Sequence, residues 1–393
     1  MKRNHYNHIP DKHGFDIHHI YYDQNKPTTD NIYIDIKVGN NSGNRGTIAK
    51  FEQTRADQLV ANPSNYYLSL VRWKVPGFNL PILIFPIEPN QNDVNRSDYT
   101  VTFETSTNIF QYHLYYVSYN SPSNIPINAV PTQEPSDYYF VYDYQQLLNI
   151  LNHGLQMAHD NVTGKPVGSE PPYMLYDPET KLFSYIAQQS QYGVDIVPNP
   201  APPGNPTDPP TFDADIKVYF NFKLFALFNG LPSRIITENS PDSTQGRDVQ
   251  ILAFSEPDNT YNVNYYIMKQ TLSSVAYWSP VKQIIFITEI IPINSENTAT
   301  SNDSFRKILT DFEPIAASNQ DVRTTLQYFP QGQYRLIDLI GTKPQFNIDL
   351  TVKWLDINGN EYFVLIPPFQ QFSAKIIFVK RNLYKTDNLI YDS

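Results

Sequence analysis

Apolar and polar residues alternate in short runs along most of this chain, and turn residues cut the runs apart. NIYIDIKV at 31–38 alternates strictly and is broken by GNNSGN, the pattern of a half-buried strand followed by a turn. Comparable runs follow at YYLSLVRWKV (66–75), LPILIFPI (80–87), YTVTFET (99–105) and FQYHLYYVSY (110–119). The last third repeats the rhythm in DVQILAF, NVNYYIMKQTL, VKQIIFITEIIPI, TTLQYFPQGQYRLIDLI, FNIDLTVKWLDINGNEYFVLI and AKIIFVKRNLY. Short strands with turn chemistry between them predict a mainly β chain of jelly-roll or β-sandwich type, in one or two β domains. In the fifth of these segments, Asn358-Gly359 between two alternating runs is the strongest hairpin signal.

One segment changes period. In DYQQLLNILNHGLQMAH, 143–159, Leu147, Leu148, Leu151 and Leu155 recur at helical spacing, with Asp143 as N-cap and Gln146 three positions on. This predicts a short helical insertion. Gly154 within it costs about 1 kcal/mol of helix propensity, so packing must hold the helix. IKVYFNFKLFALF at 216–228 reads equally as strand or buried helix.

These patterns divide the chain into an N-terminal arm at 1–30, a first β domain at 31–235, and a second domain or second half of the jelly roll at 236–393. The arm has no periodicity. The first domain holds the helix and a Pro-rich loop, VPNPAPPGNPTDPPTFD at 197–213, through which neither ladder nor helix can run. The turn-rich stretch at 230–248 marks the expected boundary.

Composition adds the kind of surface. The 393 residues include 29 Tyr, 23 Phe and 32 Pro against 15 Gly. Tyrosine suits half-buried sheet faces and surfaces that another protein covers, although an AT-rich genome inflates the same codons. A net charge of −10 argues against broad nucleic-acid binding. With no Cys there is no disulfide framework, thiolate zinc site or thiol nucleophile. No apolar segment follows the basic opening MKRNHYNHIPDKHG, so it does not read as a secretory signal, and no run is long enough for a membrane helix.

Candidate chemistry is sparse. His5, His8, His13, His18 and His19 could offer imidazoles to a metal, but without a rigid scaffold they read as part of a solvated arm. His153 and His159 fall on nearly opposite sides of the expected helix. No phosphate loop, nucleophile elbow, zinc helix or kinase signature occurs, and Asp311, Glu313, Asp338, Asp349, Asp356 and Glu361 are scattered among strand ends. The run Asp356–Glu361 looks superficially like a calcium loop but is explained as a turn. No catalytic, cofactor-binding or metal residues are therefore assigned, and no cofactor is expected. Lys2, Arg3 and Lys12, with Lys375, Lys380, Arg381 and Lys385, form two basic groups that are either solubilising ends or points of weak contact with packaged nucleic acid.

NPSNYYLSLVRWKVPGFNLPILIFPI (62–87), YFPQGQYRLIDLIG (328–341), Trp354 and AKIIFVKR (374–381) resemble segments of jelly-roll capsid proteins of small DNA viruses such as polinton-like viruses and virophages. The resemblance spans most of the chain from about 30 onward and implies a virion shell subunit, a penton or minor capsid protein. Such a subunit works by homo-oligomerisation, as a pentamer if it is the penton, and by contact with other capsid proteins. The length lies between a single and a double jelly roll, which keeps a small major capsid protein open. A carbohydrate-binding or attachment sandwich, with Trp73, Trp278 and Trp354 as stacking residues, is the alternative of a different class.

Overall fold

Strands dominate the computed structural model, which describes residues 31–42, 47–88, 93–118, 137–194, 213–236, 246–255, 260–298, 304–314, 325–328 and 335–381. The arm at 1–30 lies outside these residues, as does the Pro-rich loop apart from Asp213.

Two antiparallel sheets built from the two ends of the chain face each other. In the first, Asn31–Gly39, Gln371–Lys380, Tyr66–Pro76 and Thr325–Tyr328 lie side by side, and Ile337–Asp338 pairs farther along Tyr66–Pro76. The second runs Ile308–Phe312, Gln283–Ile287, Asn347–Leu355, Lys50–Thr54, with Glu361–Phe363 beside Asn347–Leu355. Alternation decides which side chains meet. Ile34 and Ile36 turn inward while Tyr33, Asp35 and Lys37 face out. Between the sheets Trp73 packs on Phe286 at 4.9 Å and edge-on to Phe312 at 5.3 Å. Trp354 and Phe372 are buried in the same core. Each such side chain contributes roughly 1.5–3 kcal/mol by leaving water. The expected jelly-roll sandwich is the fold observed.

The middle of the chain forms a second core. Ser233–Ile235, Val249–Ile251, Lys217–Phe220, Arg96–Glu104 and Ile109–Tyr115 make a third sheet, and Thr260–Asn262, Tyr265–Lys269, Leu182–Gln188 and Tyr173–Asp177 a fourth. Apolar residues between Ile82 and Trp278 close around them, whereas the first core draws on residues up to Leu80 and from Val281 onward, with Phe140; Ile285, Ile287, Ile308 and Leu355 form a small separate cluster. Ser233–Ile235, within the turn-rich stretch expected as a boundary, pairs with Val249–Ile251 just beyond it.

The expected helix is present as Tyr144–Asn161, capped by Asp143, whose Oδ1 accepts the Gln146 N–H at 2.7 Å. Gln146 reaches back to accept the N–H of Tyr142 rather than that of the cap residue. Gly154 is there because the helix crosses Ile109–Tyr115 so closely that a Cβ would overlap Leu114 Cδ2. The ambiguous 216–228 run is both things in turn: Lys217–Phe220 is a strand, and Asn221 then caps the helix Phe222–Leu227. LPILIFPI departs from expectation, since only Leu83–Ile84 is strand, paired with Phe140–Val141. Pro81 and Pro86 have no N–H to give a ladder and confine it to the residues between them.

Candidate functional site

Most of the polar side chains that could carry chemistry are committed to holding the fold. Asp349 is buried beneath a turn, where it accepts hydrogen bonds from the Thr288 hydroxyl, the Glu289 N–H at 2.7 Å and the Ile290 N–H at 3.2 Å. Asp356 accepts the N–H groups of Asn358 and Asn360, and Gly359 takes φ 80°, so DINGN is a capped hairpin turn. Asp338 is held by Arg381 at 2.7 Å, and Asp311 accepts from Gln283 at 2.8 Å. Burial alone would raise the Glu361 carboxyl, but hydrogen bonds from Lys353 at 2.7 Å and Arg306 at 2.8 Å outweigh it and hold its pKa below the ordinary value.

The histidines behave similarly. Both ring nitrogens of His113 are engaged, Nε2 lying 2.9 Å from the Arg96 guanidinium and Nδ1 3.0 Å from the Ser97 carbonyl. His153 is exposed and His159 buried, on different faces of the helix as their spacing requires. His159 lies 3.1 Å from Ser169 Oγ and 3.3 Å from Asp160 Oδ1, the residue types of a hydrolytic triad. The Ser169 N–H is spent on the Pro166 carbonyl, however, and Asp160 is exposed, so the set lacks the oxyanion donor and the buried carboxylate of a triad. Burial lowers the His159 pKa, the Asp160 hydrogen bond opposes this, and Lys165 adds to it. An open groove of about 340 Å3 runs past Glu104, Asp213 and Lys217, but Arg247 pairs with Glu104 and Lys217 with Asp213. No group of three metal-ligating side chains occurs among the described residues. The N-terminal histidines, Lys2, Arg3, Lys12 and Lys385 lie outside them.

Trp73, Trp278 and Trp354 are 3%, 7% and 2% exposed, which removes them as sugar-stacking residues. They are core because each lies in an apolar run that faces another layer; Trp278, for instance, stacks on Phe183 at 5.2 Å.

What the fold leaves open is surface. Asn31–Gly39 is a nine-residue strand at the margin of the first sheet, paired on one side with Gln371–Lys380 and with no strand on the other among the described residues. Its outward side chains line up with those of its neighbours. Lys37, Ser373 and Lys74 form one row, and Asp35, Lys375 and Arg72 the next. Arg72 sits 3.0 Å and Lys375 3.8 Å from Asp35. Just beyond the strand end, buried Asn40 ties the loop before Gln371: its side chain donates to the Ile366 carbonyl, its N–H to Gln370, and its carbonyl accepts from Phe369. Of these residues the sequence reading had singled out only Lys375. Phe369 was not singled out; the one local signal that could have drawn notice to it is the Pro-Pro pair just before it, after the final hairpin.

An open strand margin and polar side chains spent on structure are what the described residues present. The family model of the Sputnik minor capsid protein V18/19 matches residues 32–380. The chain belongs to this family. It is a family of structural capsid proteins, not of enzymes. The chain is 28% identical to structural protein V19 of Sputnik virophage over 225 residues, 53% of this chain and 94% of V19. It is 32% identical over 152 residues to the V18 protein of the same virophage, 37% of this chain and 90% of V18. A chain of the Sputnik virophage cryo-EM structure superposes with a TM-score of 0.71 at 28% identity, covering 92% of this chain and 100% of that one. The mavirus penton protein shares the fold, with a TM-score of 0.58 at 15% identity over 89% of this chain and 99% of its own.

Proposed function

We propose that this protein is a vertex (penton) or minor subunit of a virion shell and acts by associating with copies of itself and with other capsid proteins. The observation that carries the reading is the family match along almost the whole jelly roll and the core between its halves. Five copies in a ring follow if the position is the vertex. A small major capsid protein is the less favoured alternative, because the described residues hold one such sandwich with a different core inserted into it.

The same cores support a division of labour. The described residues of 31–80 and 281–381 are the wall, and those of 82–278 are a unit inserted between its strands that projects toward a neighbour or the exterior. Contact with packaged nucleic acid through Lys375 and Arg381 is not adopted, since both already face carboxylates, Asp35 and Asp338. Negative-stain electron microscopy of the purified full chain, alone and mixed with the other capsid proteins of its particle, tests the proposal. Rings or incorporation into shells are expected; a monomer at every concentration that joins no shell would overturn it.

A further inference from the structure

One end of the first sheet carries two features that do nothing for the isolated chain. Phe369 adopts φ 60°, the left-handed region in which a bulky side chain is strained, and yet its ring is 80% exposed. An aromatic ring left in water contributes no burial energy to offset that strain. Hydrogen bonds from the Phe369 N–H to Asn40 and from the Gln370 N–H to Pro367 hold the backbone there. Phe78, 53% exposed, follows the neighbouring strand Tyr66–Pro76. The register Ser373 to Lys74 carries both phenylalanines past the same end of adjacent strands.

The second feature is charge. The two rows on the outer face beside this end hold Lys37, Lys74, Arg72 and Lys375 against a single carboxylate, Asp35. Asp35 is engaged by Arg72 and Lys375, whereas Lys37 and Lys74 are exposed and make no ion pair among the described residues. The patch is thus net positive by three in a chain whose net charge is −10, so the remainder carries thirteen acids in excess.

We propose that this end of the sheet docks a second copy of the same chain, with Phe369 and Phe78 as apolar anchors and Lys37 and Lys74 as the charged rim. The inference rests on the shell-subunit reading above. Charge complementarity selects the occupant, because the rest of an identical chain carries a net negative charge. Contact between unlike patches on identical subunits is also the kind that closes into rings. Exposed aromatic anchors beside a charged rim are the anatomy of a protein–protein contact rather than of a phosphate-tracking surface.

The test is sedimentation velocity of the full-length wild type and of the variants F369G, F78A and K37E/K74E, each with a thermal melt. Glycine accepts φ 60° freely, so F369G is expected to melt at or above the wild-type temperature while its self-association weakens by about tenfold or more. K37E/K74E is expected to associate more weakly and to lose most of the salt sensitivity that the wild type shows between about 0.1 and 1 M NaCl. Wild-type self-association that F369G and K37E/K74E both retain overturns the inference and leaves the shell reading intact. Defects seen only in joining a different capsid protein, or only in retention on DNA-cellulose, overturn the second copy as occupant. If F78A or K37E/K74E melts well below the wild type, F369G alone decides, since relief of strain and loss of association move in opposite directions only when the ring serves a partner. A wild type that neither self-associates nor joins shells fails the parent reading instead.

Discussion

Gly154 shows how one residue can be locally unfavourable and still suit the packing around it. It weakens the Tyr144–Asn161 helix, and the reason lies on Ile109–Tyr115, where Leu114 occupies the space a methyl group would need. Gly154→Ala therefore trades a propensity gain of about 1 kcal/mol against an overpacking cost of roughly 1–3 kcal/mol. Net destabilisation, read as a lower urea midpoint, is expected; a raised midpoint would mean that the helix has room to shift. Glu361 supplies a second residue-scale prediction. Its pKa is held below the ordinary 4.5 by Lys353 and Arg306 against the effect of burial. The stability it contributes is present above that ordinary value and is lost as pH falls through the lowered one. Glu361→Gln should be less stable than wild type at pH 7, and the gap should narrow progressively as the pH falls below the ordinary 4.5. A gap that stays constant across melts from neutral to acid would show that the two ion pairs carry no net weight. His159 has the same sign for a different reason. Burial lowers its pKa below 6.5, so the folded state loses stability as pH falls below that value.

Elements were legible where local pattern and tertiary environment agree. Asn31–Gly39 alternates in sequence and buries one face, Tyr66–Pro76 and Asn347–Leu355 are apolar runs buried more fully, and the Asn358-Gly359 hairpin closes as its turn residues require. The Asp143 cap was legible for the same reason. Asp143→Ala removes the acceptor for the Gln146 N–H and should cost about 1 kcal/mol, seen as a drop of a few degrees in melting temperature with unchanged helix content by circular dichroism. No change would mean that packing of Leu147, Leu151 and Leu155 alone holds the first turn. LPILIFPI was misread because its apolar run resembles a central strand, while its two prolines restrict pairing to Leu83–Ile84. The segment at 216–228 escaped assignment because a strand of four residues and a helix of six share one apolar run, and only Asn221 marks the change.

At the scale of the whole molecule, the first and last parts of the chain make one core and the middle makes another, and Phe140 joins them. Its ring lies 5.4 Å from Trp354 and 5.2 Å from Tyr362 in the first core, while its carbonyl accepts the Tyr116 hydroxyl, which belongs to the second. Phe140→Ala should cost about 3–5 kcal/mol and split the thermal melt of the full chain into two calorimetric transitions. A single transition shifted to lower temperature would show that other contacts keep the cores coupled. By itself the sequence determined the β class, the helix and its cap, and the absence of thiol chemistry, because these follow from period, turn residues and composition within windows of a few residues. Tertiary structure alone decided that Asn31–Gly39 pairs with Gln371–Lys380, some 340 residues away, and that Lys37, Lys74, Phe78 and Phe369 share one end of a sheet. Strand pairing and register depend on which apolar faces find each other across the fold, and that is a property of the packed core rather than of any local stretch of residues.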